Sequence, residues 1–172
     1  MNKELWLMRH GKSDRESLLE DFARPLKKRG KQAARRMAEW MKKQELIPDL
    51  VISSPALRAL ETANRVCAVI GIAKHSIIQD KRVYEQGCQG LKSVLADCPE
   101  KAGKILLVGH NPDLEDLLIH LAGAANMPVV DKLLPTAALA RLTMPENWAE
   151  LERGCAGLIA ITYPKSITKD VS

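Results

Sequence analysis

The stretch Leu5-Trp6-Leu7-Met8-Arg9-His10-Gly11 places an arginine, a histidine and a glycine directly after an apolar run of four residues. A short apolar run of this kind predicts a buried β-strand. A second run, Ile105-Leu106-Leu107-Val108, ends in a similar way, in Gly109-His110-Asn111-Pro112. Two strand ends that each lead into a histidine indicate one site that contains two imidazoles.

Length and composition predict a single domain. The chain has 172 residues, of which 46% are hydrophobic, and this is enough for one well-buried core but too little for two ordinary domains. We expect one domain over residues 1–164, followed by a polar C-terminal tail over residues 165–172. A monomer is the expected oligomeric state.

The charge of the chain favours an anionic partner. The net charge is +5, from 26 Lys and Arg against 21 Asp and Glu, and phosphate compounds, acidic proteins and nucleic acid all fit this sign. The basic residues are densest between Arg24 and Lys43, in a pattern typical of an amphipathic helix with a solvated cationic face. No nucleic-acid motif or aromatic stacking platform accompanies them, so we expect no nucleic-acid partner.

The cysteines do not predict a metal site. Cys67, Cys88, Cys98 and Cys155 form no CxxC pair and have no metal-ligand spacing with the histidines, and no cofactor is predicted either. The first apolar stretch is too short for a signal peptide, and nothing downstream approaches the length of a membrane span. We therefore expect no membrane association and a cytoplasmic protein with reduced thiols.

Strand and helix signals alternate along the chain, and this alternation predicts one α/β unit. We expect strands at Leu5–Met8, Leu50–Ser53, Ser76–Gln79, Lys104–Val108, Ala137–Leu142 and Ala156–Thr162. We expect helices over Pro25–Lys43, from Ser54-Pro55 to about Ile70, from about Leu91 to Cys98, and from Asn111-Pro112 to Gly123, with a weaker helical signal at Glu146–Arg153. Ser54 and Asn111 are the predicted N-caps of their helices. The predicted buried face of the second helix consists of Leu57, Leu60, Ala63, Cys67 and Ile70.

The predicted junctions between strands and helices favour phosphate. A helix N-terminus presents unpaired N–H groups and the positive end of its dipole to whatever lies in front of it. Arg58 falls in the first turn after Ser54-Pro55, and Arg9 leaves the first strand at the same end of the sheet, where ligands of open α/β sheets bind. Two guanidinium groups can hold a dianion in bidentate fashion.

An ordered set of motifs resembles a known family. The motifs occur between Leu5 and Pro164 as Arg9-His10-Gly11, Arg24-Pro25-Leu26 with Gly30, Ser53-Ser54-Pro55-Ala56-Leu57-Arg58-Ala59 with Glu61-Thr62-Ala63, Val83-Tyr84-Glu85, Val108-Gly109-His110-Asn111-Pro112 and Pro135-Thr136. In this order they resemble the histidine phosphatase superfamily, also called phosphoglycerate mutase-like, and within it the small phosphohistidine phosphatases of the SixA type. The resemblance implies a three-layer α/β/α fold with a mostly parallel central sheet.

The resemblance also implies roles for individual residues. His10 is the implied nucleophile, and Arg9, Arg58 and His110 surround the phosphoryl group without a metal. For attack His10 must present a lone pair, so its other ring nitrogen is expected to donate to a backbone carbonyl or to water. Two further candidates for phosphate binding are Gly11 and Asn111. Glu85 is either the general acid or a surface glutamate in a loop.

Two departures from the family pattern bear on the substrate. Glu16 stands where the mutases have an asparagine that helps to bind phosphate, and as an anion it cannot play that part. The chain is also too short for the insertions that cover the site of a mutase. An open pocket with a basic rim suits a phosphate displayed on a protein.

We therefore expect a metal-independent phosphatase that acts through a phosphohistidine intermediate. Its favoured substrate is protein phosphohistidine, for example on a phosphohistidine carrier protein. One alternative is a phosphatase for small phosphorylated metabolites. The other is a phosphate-binding regulatory module without turnover, because binding and catalysis would use the same donors.

Overall fold

A computed structural model describes residues 2–167 and shows one six-stranded sheet with helices on both faces. The strands are β1 (Lys3–Arg9), β2 (Leu50–Ser53), β3 (Ile78–Gln79), β4 (Lys104–Gly109), β5 (Leu139–Met144) and β6 (Gly157–Thr162). The helices are α1 (Lys28–Lys43), α2 (Leu57–Ile70), α3 (Arg82–Glu85), α4 (Gly87–Ala96) and α5 (Asp113–Ala122). Short 3-10 turns lie at Asp21–Ala23, Lys74–Ser76, Ala124–Asn126 and Pro164–Ser166.

The sheet has the order β3-β2-β4-β1-β5-β6 and is mostly parallel, as predicted. Strands β1 and β4 pair in parallel, with Arg9 opposite Gly109 at their carboxyl ends. Strand β2 pairs with β4 in parallel on the other side, and β5 is antiparallel to both of its neighbours, β1 and β6. The central pair β1–β4 therefore delivers its two following histidines to the same edge of the sheet.

The two faces of the sheet are each covered by helices, which confirms the three-layer α/β/α architecture. Successive residues of a strand point to opposite faces, and in β1 Trp6 and Met8 pack with residues of α1 and α2. Leu5 and Leu7 pack with residues of α4 and α5. Among residues 2–167 no helix is both long and apolar enough to cross a membrane.

The predicted helix starts are wrong by a few residues. Helix α1 begins at Lys28 rather than Pro25, because Leu26 forms an isolated β-bridge with Ser13. The N-cap of α2 is Ala56, since the Ser54 hydroxyl oxygen accepts the Ala56 N–H in a turn before the helix. The N-cap of α5 is Pro112 rather than Asn111.

Other local predictions also need correction. Leu57 was expected in the buried face of α2 but is exposed, and Leu60 is only partly buried. The segment Glu146–Arg153 is not helical; buried Trp148 anchors it by donating its indole N–H to the Ala102 carbonyl at 2.9 Å. In the predicted tail, residues 165–167 are described, whereas residues 168–172 lie outside the described part of the chain.

The turn after β1 and helix α1 approach each other so closely that both contact positions are glycine. A Cβ on Gly11 would lie 2.7 Å from the Gly30 carbonyl oxygen, and a Cβ on Gly30 would lie 2.2 Å from the Lys12 carbonyl oxygen. The obstructing atoms belong to the backbone and cannot rotate away. This contact fixes the loop that carries His10 against α1.

Gly30→Ala is expected to destabilise the protein, because the added methyl group forces α1 away from the loop after β1. Overpacking of this kind costs a few kcal/mol, so the midpoint of thermal unfolding should fall by about 5 °C or more. Calorimetry measures the effect, with Gln32→Ala on the exposed side of the same helix as the control. An unchanged midpoint in Gly30→Ala would show that the close approach is not rigid.

Candidate active site

The two predicted histidines lie side by side. Their ring centroids are 5.2 Å apart with the rings tilted by 53°. His10 follows β1 and His110 follows β4, and their exposed fractions are only 7% and 8%. Both line one cavity, so the strand pairing brings together two imidazoles that are a hundred residues apart in the chain.

The cavity has a volume of about 930 Å³ and a strongly cationic lining. Arg9 and Arg58 line it together with the two histidines, as the sequence predicts. Among residues 2–167, Asp131 supplies the single carboxylate of the lining. The cationic side chains are Arg9, Lys12, Arg15, Arg24, Arg29, Arg36, Arg58, Lys132 and Lys165. This imbalance of charge favours an anionic ligand.

His10 is held in one tautomer by its neighbour. Its Nδ1 lies 2.7 Å from the Gly11 carbonyl oxygen, and since a carbonyl can only accept, Nδ1 carries the hydrogen. This is the carbonyl partner that the sequence analysis expects. Burial lowers the pKa of His10 to about 3, and the nearby positive charges act in the same direction. His10 is therefore neutral at physiological pH, with its lone pair on Nε2.

His110 is neutral for a similar reason. Burial, and then the charge of Arg58, lower its pKa to about 4. Its Nε2 lies 2.7 Å from the hydroxyl oxygen of Ser54, at the end of β2. Its Nδ1 is buried and has no hydrogen-bond partner among residues 2–167. The ring is thus fixed at one nitrogen only.

Arg58 is buried, and Asp21 orients it. Its Nη1 donates to the Asp21 carbonyl oxygen at 2.7 Å, and its Nη2 donates to the Asp21 carboxylate at 3.0 Å. Arg24 forms a further ion pair with this carboxylate at 3.3 Å. The hydroxyl of Tyr84 donates to it at 2.5 Å, which lowers the pKa of Asp21 and raises that of Tyr84. The proton therefore stays on Tyr84 and the charge on Asp21.

Several buried donors around the cavity have no acceptor within the part of the chain that the structure describes. Arg9 donates from Nη1 to the Leu134 carbonyl at 3.1 Å, but its Nε has no partner. The Nε atoms of Arg24 and Arg58 are likewise unpaired. Buried polar groups are rarely left without partners. Such a shortage of acceptors beside concentrated positive charge favours an anion in the cavity.

Three other predicted site residues have different surroundings. The N–H of Gly11 donates to the Thr62 hydroxyl at 3.0 Å and is not free for phosphate. Asn111 lines the cavity, but its side-chain Nδ2 donates to Glu115 and to the Leu134 carbonyl. Glu85 is exposed at the end of α3 and does not line the cavity. Of the two alternatives for Glu85, this exposure favours the surface glutamate.

The groups that orient the arginines and histidines are not evident from the sequence. Ser54 and Thr62 lie within motifs quoted above but were assigned no contact with His110 or Gly11. Tyr84 stood beside the predicted acid Glu85, and Asp21 precedes the Arg24 motif. Contacts between residues 37 and 63 positions apart, such as those of Asp21 with Arg58 and Tyr84, leave no spacing signal in a single sequence.

Comparison with known proteins decides the family. The model of the histidine phosphatase superfamily (branch 1) matches residues 5–101, more than half of the chain. The chain belongs to this superfamily. The match begins at β1 and extends through α4, so it includes His10 and Arg58.

Individual relatives within the histidine phosphatase superfamily agree with this assignment. The chain is 27% identical to phosphohistidine phosphatase SixA of Escherichia coli K12 over 146 residues, which are 84% of this chain and 87% of that protein. A SixA-type protein of Agrobacterium tumefaciens has a TM-score of 0.78 at 26% identity, with 95% and 99% of the two chains covered. Mycobacterial glucosyl-3-phosphoglycerate phosphatase shares the fold, with a TM-score of 0.66 at 17% identity and coverage of 93% and 98%. The protein is a phosphatase of this superfamily.

Acid is expected to destabilise this phosphatase through its two buried imidazoles. The folded pKa values of about 3 and about 4 lie below the ordinary value of 6.5, so the unfolded chain binds more protons between these limits. Stability therefore falls as pH decreases from about 6.5 towards 4. Between pH 7 and pH 5 the wild type should lose roughly 5–10 °C more in its unfolding midpoint than His10→Gln/His110→Gln. Exposed His75→Gln is the control, and equal losses in all three proteins would contradict the buried neutral state.

Asp21→Asn is expected to impair catalysis, because the buried Arg58 loses the charge that orients it. Loss of a charge-assisted hydrogen bond of this kind should lower kcat/KM for an aryl phosphate by about tenfold or more. Tyr84→Phe keeps the ring beside His110 and loses only the hydroxyl, so it should have a smaller effect. Glu20→Gln, an exposed neighbour, is the control. Wild-type activity in Asp21→Asn would show that Arg58 is positioned without it.

Proposed function

We propose that this phosphatase removes phosphate from histidine residues of proteins, through a covalent phosphohistidine at His10. The observation that carries the proposal is the neutral His10 imidazole, which the Gly11 carbonyl fixes in a cationic cavity. Among residues 2–167, the lining of this cavity does not include the predicted acid Glu85. The 27% sequence identity to phosphohistidine phosphatase SixA of Escherichia coli supports the same substrate class.

In the first step the lone pair of His10 Nε2 attacks phosphorus. A bond forms between Nε2 and phosphorus, and the bond between phosphorus and the substrate's ring nitrogen breaks. The electron pair of that bond stays on the leaving imidazole, which takes a proton from solvent. Arg9, Arg58 and His110 stabilise the charge that spreads over the phosphoryl oxygens.

In the second step a water molecule attacks the phosphorus of the phosphorylated enzyme. The bond from phosphorus to His10 Nε2 breaks and its electron pair returns to the ring, while the water gives up a proton to bulk solvent or to the product phosphate. The Gly11 carbonyl keeps the hydrogen on Nδ1 throughout both steps. One difficult transfer is thereby divided into two easier ones.

The position of Glu85 bears on the leaving group. Alkoxide departure needs a proton delivered during bond breaking, whereas an imidazole is protonated near neutral pH without a dedicated acid. Glu85 is exposed and is not among the residues that line the cavity, and Asp21 is held as an anion by Arg58 and Tyr84. This arrangement favours phosphohistidine over an alkyl phosphate as substrate.

The fold shared with glucosyl-3-phosphoglycerate phosphatase supports a second candidate, a phosphatase for small phosphorylated metabolites. A direct comparison separates the two. The specificity constant kcat/KM is measured on a phosphohistidine carrier protein and on a panel of phosphorylated metabolites. We expect the protein substrate to be preferred by about a hundredfold or more, since only it has a leaving group that needs no acid. A metabolite that is preferred to this extent would reverse the assignment.

His10→Ala is expected to abolish turnover on every substrate, while exposed His75→Ala keeps it. Glu85→Gln should leave hydrolysis of phosphohistidine unchanged, because its side chain does not reach the cavity. Rapid quenching should trap a phosphorylated enzyme that is labile in acid and stable in base, and that is absent in His10→Ala. An acid-stable adduct would indicate another nucleophile, and equal phosphate release by wild type and His10→Ala would leave the binding module as the better account.

A further inference from the structure

Two loops at the mouth of the cavity expose aliphatic side chains to solvent. We call residues 14–24 and 127–136 the mouth loops. Leu18 is fully exposed in the first and Val129 is fully exposed in the second. Leu19, Phe22 and Val130 are exposed to about half. Exposed apolar side chains on loops that border a binding cavity are candidates for contact with a partner.

Both mouth loops reach the catalytic groups. Val130 lines the cavity itself. Phe22 packs edge-on against Tyr84 with ring centroids 5.3 Å apart, and Tyr84 packs in the same way against His110 at 5.4 Å. A partner whose phosphoryl group enters the cavity therefore comes close to these loops.

The cations of the outer cavity exceed what one phosphoryl group requires. We call six of them the rim cations, and none forms an ion pair with a carboxylate among residues 2–167. They also repel one another: burial, and then Arg29, Arg15 and other cations, lower the pKa of Lys12. The rim cations are Lys12, Arg15, Arg29, Arg36, Lys132 and Lys165.

We propose that the mouth loops and the rim cations form a docking face for a partner protein, in which the phosphohistidine is flanked by acidic and aliphatic side chains. The proposal rests on the function proposed above. Acidic residues of the partner pair with the rim cations, and its aliphatic residues cover the mouth loops. The histidine ring carries its phosphoryl group inward to His10.

Charge and apolar surface together select this partner. A small phosphorylated metabolite that fills the phosphoryl site does not cover Leu18 and Val129, which project fully into solvent. A nucleic acid would require aromatic stacking platforms, and Phe22 is already packed against Tyr84. A protein surface supplies carboxylates and aliphatic groups within one contact, as interfaces with an apolar core and a charged rim do.

The test uses four synthetic peptides of equal length, each with one central phosphohistidine. Their flanking residues are Glu and Leu, Glu and Ser, Lys and Leu, or Lys and Ser. Peptides with Glu and Leu should have the highest kcat/KM, exceeding those with Lys and Ser by about a hundredfold at low salt. The advantage of Glu over Lys should shrink as ionic strength rises, because salt screens exposed charges.

Two sets of variants separate the apolar and the charged contributions. Leu18→Ser/Val129→Ser should lower kcat/KM for the peptides that contain Leu by about tenfold, and leave p-nitrophenyl phosphate hydrolysis unchanged. Arg15→Glu/Lys132→Glu should reverse the preference for Glu over Lys. The controls lie before β2 and β4, at the opposite edge of the sheet from the cavity: Ile47→Ser for the apolar pair and Lys101→Glu for the charged pair.

The outcomes distinguish this inference from the function on which it rests. If all four peptides are hydrolysed equally well and still faster than metabolites, the docking face is wrong and the proposed function stands. If no phosphohistidine substrate is preferred to metabolites, the proposed function itself fails. Binding to vesicles of phosphatidylglycerol that Leu18→Ser/Val129→Ser abolishes, without any change in peptide hydrolysis, would overturn the proposal in favour of a membrane surface.

Discussion

The hydrogen bond from His10 Nδ1 to the Gly11 carbonyl, 2.7 Å long and buried, is the contact on which the rest of the site depends. It fixes the tautomer, and with it the nitrogen that can attack phosphorus. The carbonyl is itself held in place, because the Gly11 N–H donates to Thr62 and α1 packs against the loop at Gly30. Thr62 in turn donates to the carbonyl oxygen of Arg58. One short chain of contacts thus positions both the proposed nucleophile His10 and Arg58, which we propose binds phosphate.

The cavity combines neutral imidazoles with fixed positive charge. Burial and the neighbouring guanidinium groups oppose protonation of His10 and His110, so the same cations that favour an anion also help to keep the proposed nucleophile unprotonated. Asp21 balances part of this charge at Arg58 without titrating, since Tyr84 and the arginines stabilise its anion. An entering phosphoryl group meets donors that are already oriented and needs little rearrangement of the protein.

The elements that could be predicted from sequence are those with a local signal. The apolar runs of β1 and β4 and the histidines that follow them were sufficient to predict the paired rings, now found 5.2 Å apart. The N-cap predictions at Ser54 and Asn111 were wrong, because each side chain has a partner that is distant in sequence. Ser54 contacts His110, and Asn111 contacts Leu134. Glu85 was a candidate acid because of its motif alone. Its exposure at the end of α3 depends on packing, which residue spacing in the sequence does not show. Trp148 shows the same limit, since one buried indole anchors a segment whose composition resembles a helix.

Nitrogen NMR of the ¹⁵N-histidine-labelled protein shows whether His10 is a neutral imidazole with its hydrogen on Nδ1, on which the proposed reaction depends. Chemical shifts of the two ring nitrogens distinguish the tautomers and the protonated form, and comparison with His10→Gln assigns the signals. The account predicts the Nδ1–H tautomer from pH 8 down to about pH 5, without titration near the ordinary histidine pKa of about 6.5. A His10 ring that titrates near that value, or that carries its hydrogen on Nε2, would contradict it.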